Sequence, residues 1–302
     1  MKQFQPSYLE SYKAGTLRNK ILEINEANTN CNLCPHRCGI DRTTLNRGKC
    51  MSGSLPVISS FSPHFGEEPP LTGSRGSGTI FFGNCNLSCI FCQNYDISQC
   101  GVGEEMSYSD LARIMINLQQ LGCHNINFVS PSHMVNAILN ALPEAIEMGL
   151  RIPLAYNSGG YDLASTIKTL EGIFDIYMPD LKYMDNSIAN ELSGIDDYVE
   201  MATGSIFEMH RQVGDLEVDE YGIARKGIII RHLVMPDNIA KTDKVIDFVR
   251  DLSTNTYFNL MDQYRPAYHA MSNPKINRKL TAEEFQRAYN YALDNGLSRV
   301  AC

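Results

Sequence analysis

The sequence predicts an α/β fold of parallel strands, arranged either as an open sheet or as a barrel. Two observations predict it. Six short apolar runs are each followed by a helical pattern, and a polar cluster stands directly after every run. Strands joined in this way through helices are parallel with right-handed crossovers, and chemistry then sits at their carboxyl ends.

Taken in order, residues 7–27 place Leu9, Tyr12, Leu17, Ile21, Leu22 and Ile24 at helical spacing, so a helix or helix pair is expected there. A first cysteine group follows over residues 31–50. Residues 55–77 are rich in Pro, Gly and Ser and read as an extended connector wrapping a larger body, with a boundary near Ser74. The chain thus divides into 1–73 (helix, Cys-rich module, connector) and 74–302 (α/β domain). The expected strands are 79–82, 126–129, 152–156, 174–178, 227–230 and 257–260. Helices are expected over 109–121, 134–147, 240–252 and 282–293, with Asp110 and Glu283-Glu284 supplying acidic first turns. The clusters after the runs are Asn84-Cys85, Ser130 to His133, Asn157 to Gly160, Asp180 to Lys182, Arg231-His232 and Met261 to Tyr264.

At 302 residues, 43% hydrophobic and 20% charged, the chain falls in the globular range, which argues against disorder and coiled coil. Its 26 basic residues against 34 acidic give a net charge of −8, a poor match to a phosphate backbone, so nucleic acid is not expected as partner. No run spans a bilayer and the start lacks an apolar signal core, so the expectation is a soluble, cytoplasmic protein with no membrane partner.

Ten cysteines without a secretory signal point to metal binding rather than disulfides. Cys85, Cys89 and Cys92 form C-x3-C-x2-C directly after the first run. Three thiolates suit a four-iron cluster that keeps one iron open, whereas structural zinc wants a fourth ligand, for which Cys100 is the nearest candidate. Cys31, Cys34, Cys38 and Cys50 offer four soft ligands in a segment too short to bury a core, so zinc or an auxiliary [4Fe–4S] cluster is a natural source of its stability, with His36 as a substitute ligand. Cys123 and Cys302 read as incidental thiols.

The spacing C-x3-C-x2-C, with Phe91 before the last cysteine, resembles the signature of the radical S-adenosylmethionine (SAM) superfamily. Residues 64–267 further resemble the pyruvate formate-lyase activating enzyme-like (PflX-like) group through 64–70, 122–127, 208–215 and 261–266. The resemblance implies a partial (β/α)6 TIM-like barrel. It also implies a [4Fe–4S] cluster on Cys85, Cys89 and Cys92 whose open iron binds SAM, reductive cleavage to a 5′-deoxyadenosyl radical, and hydrogen abstraction from a substrate. For SAM it implies Asn94, Asp180, Lys182 and Arg231. Ser130 and Ser132 stand where the superfamily often has Gly-Gly-Glu, Asn157 and Ser158 can reach ribose or carboxylate, and Met261 and Gln263 close the far side. His133, His210, Arg211, His232, Tyr264 and Arg265 are candidate substrate contacts. The implied partners are a low-potential electron donor of the flavodoxin or ferredoxin type and a glycyl radical enzyme, with a peptide or small metabolite as the alternative substrate. A non-catalytic iron–sulfur or zinc protein is the reading from another class.

Overall fold

The computed structural model describes residues 4–302. The strands are β1 (Val57–His64), β2 (Ser77–Phe82), β3 (Glu104–Glu105), β4 (Ile126–Val129), β5 (Leu154–Ser158), β6 (Ile176–Pro179), β7 (Glu217–Val218), β8 (Ala224–Leu233), β9 (Tyr257–Met261) and β10 (Val300–Ala301). The helices are α1 (Ser7–Lys13), α2 (Thr16–Thr29), α3 (Pro69–Thr72), α4 (Tyr95–Ser98), α5 (Tyr108–Gln120), α6 (Val135–Glu147), α7 (Ala164–Thr169), α8 (Asn186–Ser193), α9 (Tyr198–Val213), α10 (Thr242–Leu252) and α11 (Ala282–Asp294).

All six expected strands form, and they lie side by side in chain order as β2, β4, β5, β6, β8 and β9, every neighbouring pair parallel. Residues of β5 and β6 are buried throughout, as apolar runs covered on both faces must be. β10 extends one edge in parallel, while β1 and then β3 extend the other antiparallel. The two edges do not pair, so the sheet is an open, partial barrel. β5 begins at Leu154, two residues later than the periodicity suggests. Pro153, just before it, has no N–H to give a ladder.

Helix starts follow local chemistry. Ser107 caps α5 in a reciprocal box with Asp110, and Thr281 caps α11 in the same way with Glu284. Residues 7–27 form the pair α1 and α2, bent apart at Gly15, whose φ of +76° suits glycine.

The stretch expected as a connector is part of the sheet. Its residues 57–64 become β1, and α3 follows. There are two cores. The outer one lies between sheet and helices and takes in Tyr8, Leu9 and Leu17 from α1 and α2. The inner one fills the base of the barrel, where Leu71 of α3 packs against Ala155, Ile176, Met178, Leu216 and Ile229. Side chains two apart on a strand share a face, so this inner row continues upward through Asn157, Asp180 and Arg231. Among the described residues no helix is long and apolar enough to cross a membrane.

Candidate active site

The loop after β2 carries Cys85, Cys89 and Cys92, and its shape is fixed by α8. The N–H groups of Ser88 and Ile90 donate to the carbonyls of Ser193 and Leu192, at 3.4 and 2.9 Å. Each sulfur has a donor beside it. Leu87 N–H lies 3.4 Å from Cys85 Sγ, Ser193 Oγ 2.9 Å from Cys89 Sγ, and Ser98 Oγ 3.1 Å from Cys92 Sγ. Tyr183, whose hydroxyl is 2.8 Å from Ser193 Oγ, extends that contact into the core.

The three cysteines border one cavity of about 180 Å³ at the carboxyl ends of the strands. Asn94 completes the loop side. Ser130 follows β4, Asn157 and Ser158 close β5, and Asp180, Lys182 and Arg231 come from β6 and β8. Met261 lines an adjoining space of about 60 Å³ that shares Asp180 and Lys182. A larger depression of about 510 Å³ lies between α1 and the end of α6, but no cysteine lines it.

Charge inside the barrel is organised around Asp180. It accepts from Lys182 Nζ at 2.7 Å and from Arg231 Nε at 2.8 Å. Burial alone would push the Asp180 carboxyl up, yet Arg231 and Lys182 hold its pKa below the ordinary value. Burial likewise opposes the charge on Lys182, and Asp180 more than restores it. Arg231 also donates to Asn157 Oδ1 at 2.7 Å and approaches Glu67 at 3.4 Å and Glu68 at 3.7 Å. Tyr198 ties the strand ends together by accepting from Lys182 N–H and lying 2.9 Å from the Gly159 and Asp180 carbonyls. Gly160 has φ +80°, and a Cβ there would strike the Asp180 carbonyl.

Several expected residues do not reach the cavity. Ser132 is buried behind it, beside Asp162 and Tyr156. Gln263 is exposed, and only its carbonyl meets Gln93, at 3.3 Å. His133 and His232 are both buried, and burial drives each pKa down to about 4. His133 Nε2 lies 3.0 Å from the Gly83 carbonyl, and His232 bridges the Leu181 carbonyl and Thr242 Oγ1 at 2.6 and 2.9 Å. Both therefore brace backbone. His210 and Arg211 sit at the far end of α9, paired with Asp215 and Glu208. Tyr264 is buried with its hydroxyl on the Ile276 carbonyl, and Arg265 is exposed beyond it. Cys100 is exposed and outside the cavity. His36 Nε2 is 2.7 Å from the Asn86 carbonyl, which occupies that nitrogen.

Glu67 and Glu68 back the cavity through Arg231, Ser193 through Cys89 and Tyr198 through the strand-end backbone, and all four lie outside the strand-end clusters. The adjacent carboxylates of 64–70 were the available signal for the first two. Among the described residues no three Cys, His, Asp or Glu side chains meet closely enough to hold a single metal ion. The three sulfurs instead border a space, a soft donor set that suits a polynuclear iron–sulfur group.

Residues 79–249 match the family model described as "Radical SAM superfamily". The uncharacterized protein MJ0674 of Methanocaldococcus jannaschii is 34% identical over 294 residues, covering 94% of this chain and 80% of that protein. Among solved structures, Streptococcus suis SuiB bound to S-adenosylmethionine superposes with a TM-score of 0.50 at 17% identity, over 72% of this chain and 47% of that one. SuiB bound to its precursor peptide SuiA gives 0.50 at 16%, over 72% and 46%. HydG, a maturase of the [FeFe]-hydrogenase, gives 0.50 at 12%, over 72% and 48%. This chain spans about half the length of those structures, and at such identities the likeness is one of fold. With the family model covering more than half of the sequence, and a parallel partial barrel opening on a C-x3-C-x2-C loop, the chain belongs to the radical SAM superfamily.

Proposed function

We propose that Cys85, Cys89 and Cys92 hold a [4Fe–4S] cluster at the barrel mouth, and that SAM binds beside it to start hydrogen abstraction from a polypeptide. The observation that carries this reading is the convergence of three sulfurs, each with its own hydrogen-bond donor, on a cavity walled by polar strand ends. A cluster held there, once reduced by an external donor, would supply the single electron for cleavage of the sulfonium C–S bond of SAM to methionine and a 5′-deoxyadenosyl radical.

The chain's own residues bind, orient and exclude water. Asn94 and Ser130 offer hydrogen bonds at the rim, and Asn157 and Ser158 do so deeper in the cavity. Lys182 presents a permanent positive charge to a carboxylate, while Asp180 keeps that charge in place. Arg231 acts mainly as a hub that holds Asp180 and Asn157 at fixed positions. Phe91 and Met261 provide apolar wall.

For the substrate we propose the glycine loop of a glycyl radical enzyme, with other peptide or small-metabolite targets as the second reading. In favour of a polypeptide, the half-exposed Tyr95 next to Asn94 stacks on Tyr268 at 5.0 Å, an amphipathic aromatic surface of the kind polypeptides pack on. A low-potential flavodoxin or ferredoxin is the proposed donor.

Anaerobically reconstituted protein reduced with dithionite is expected to release 5′-deoxyadenosine from SAM, and Cys89→Ala to lower that release to background. Undiminished product from Cys89→Ala would remove the trio from the chemistry. A glycyl radical signal in electron paramagnetic resonance (EPR) after mixing with a candidate partner distinguishes the two substrate readings.

A further inference from the structure

Arg42 is 2% exposed, and all its hydrogen bonds end on neutral carbonyls: Ser52 at 3.3 Å, Gly53 at 2.6 Å and His133 at 2.7 Å. Among the described residues no carboxylate pairs with it. Its neighbour Asp41 turns outward to Thr43. A buried guanidinium without counter-charge is costly, so the environment calls for negative charge nearby.

The groups that can supply it are thiols. Cys31 lies within electrostatic reach of Arg42, and Cys34 within reach of Cys31, Cys38 and Cys50. All four are free, and three are buried. Local turns fold the segments that carry them back on one another. Cys31 N–H bonds to the Ile40 carbonyl at 2.8 Å and Gly39 N–H returns to the Cys31 carbonyl at 3.0 Å, which folds Cys38 back toward Cys31. Gly39 takes φ +64° at that turn. A second turn, Met51 N–H to Gly48 carbonyl at 3.0 Å, presents Cys50. Gly48 is required where these turns meet, since a Cβ would stand 2.7 Å from Cys38 Sγ. Backbone donors face the sulfurs: Lys49 N–H lies 3.5 Å from Cys38 Sγ, and Leu33 and His36 N–H groups face Cys31 and Cys34. Donors so placed stabilise thiolate charge and orient metal ligands.

We propose that Cys31, Cys34, Cys38 and Cys50 hold a metal centre as four thiolates, and that the buried guanidinium of Arg42 is its built-in counter-charge. Four thiolates around a divalent zinc or an oxidised [4Fe–4S] core leave a net charge of about −2, which faces Arg42 in either case. Binding releases the thiol protons to solvent. The sulfurs do not meet at one point, which suits a four-iron core with one thiolate at each corner better than a single zinc ion. The centre also stands behind the mouth, because His36 of the same module holds the Asn86 carbonyl at 2.7 Å and Leu33 accepts from Thr166 Oγ1 at 2.9 Å.

The test uses the full chain with Cys85, Cys89 and Cys92 all replaced by Ala, so the mouth contributes no metal. After anaerobic iron–sulfide reconstitution or growth with zinc, followed by desalting, elemental analysis is expected to find either about four irons with matching sulfide or about one zinc per chain. Further replacement of Cys34 and Cys50 by Ser should remove that metal. Trace metal in the first variant, or undiminished metal in the second, overturns the proposal and leaves the reading of the mouth intact. For the counter-charge, Arg42→Met should lose the centre to a chelator several-fold faster than the parent, and Arg42→Lys should retain it longer than Met does. Equal retention in a folded Arg42→Met protein, or loss of metal from Arg42→Lys should the Met variant not fold, refutes the charge pairing.

Discussion

Arg231 reaches Asp180, Asn157 and the Glu67-Glu68 pair at once, so the positive charge at the centre of the barrel is already divided among groups of the chain itself. Removing one partner of such a buried set is costly. Asp180→Asn is expected to destabilise the fold by about 3 kcal/mol in chemical denaturation, because Lys182 and Arg231 then face each other with less compensation. His232 gives a second residue-scale expectation. Its pKa is about 4 in the fold against 6.5 unperturbed, so the unfolded chain takes up a proton first as pH falls. Stability from the neutral imidazole is complete above 6.5 and is lost progressively toward 4. Between pH 7 and 5 the wild type should therefore lose about 2 kcal/mol more unfolding free energy than His232→Asn; parallel losses in the two proteins would refute this. Buried carboxylates such as Asp175, raised to about 6, shift stability in the opposite direction in both proteins and cancel in that comparison. Parity explains which residues were legible. Arg231 shares a face with the inward Ile229, whereas His232 shares one with Ile228 and Ile230 and turns to the helix layer. Glu67 and Glu68 precede the first parallel strand, where a rule about carboxyl ends does not look.

The cysteine loop shows how an element is shaped by one that comes a hundred residues later. Its N–H groups rest on the carbonyl end of α8, and Ser193 at that end donates to Cys89 Sγ. A donor on a ligand sulfur withdraws charge and favours a reduced cluster, so on the proposed ligation by Cys89, Ser193→Ala should move the proposed cluster's midpoint potential to a more negative value. An EPR-monitored redox titration measures it, and an unchanged midpoint would make the contact purely structural. The parallel strands were legible because their runs are buried on both faces, and α5 and α11 because their caps are local chemistry. β1 was hidden: its register against β2 is a long-range pairing, and Pro, Gly and Ser around it read locally as connector.

At the scale of the molecule, the amino-terminal helices are anchored to the barrel's outer core. Tyr8 is fully buried with its hydroxyl on the Ile152 carbonyl at 2.9 Å, and Ser7 bonds Asp175 through both its N–H and its hydroxyl. Composition and length bounded the class of fold, but they carry no record of which early segment closes the base of the barrel. That segment is α3. Leu71→Ala is expected to cost about 3 kcal/mol of stability by opening a void among Ala155, Ile176 and Ile229, read as a lowered denaturation midpoint with an unchanged slope. The stopper that Leu71 forms also gives the barrel a closed floor. No route then runs out through the bottom, so on the proposed reading a spent nucleoside leaves only by the doorway or by the slit between the unpaired edges, and one that lingers there would inhibit in competition with fresh SAM.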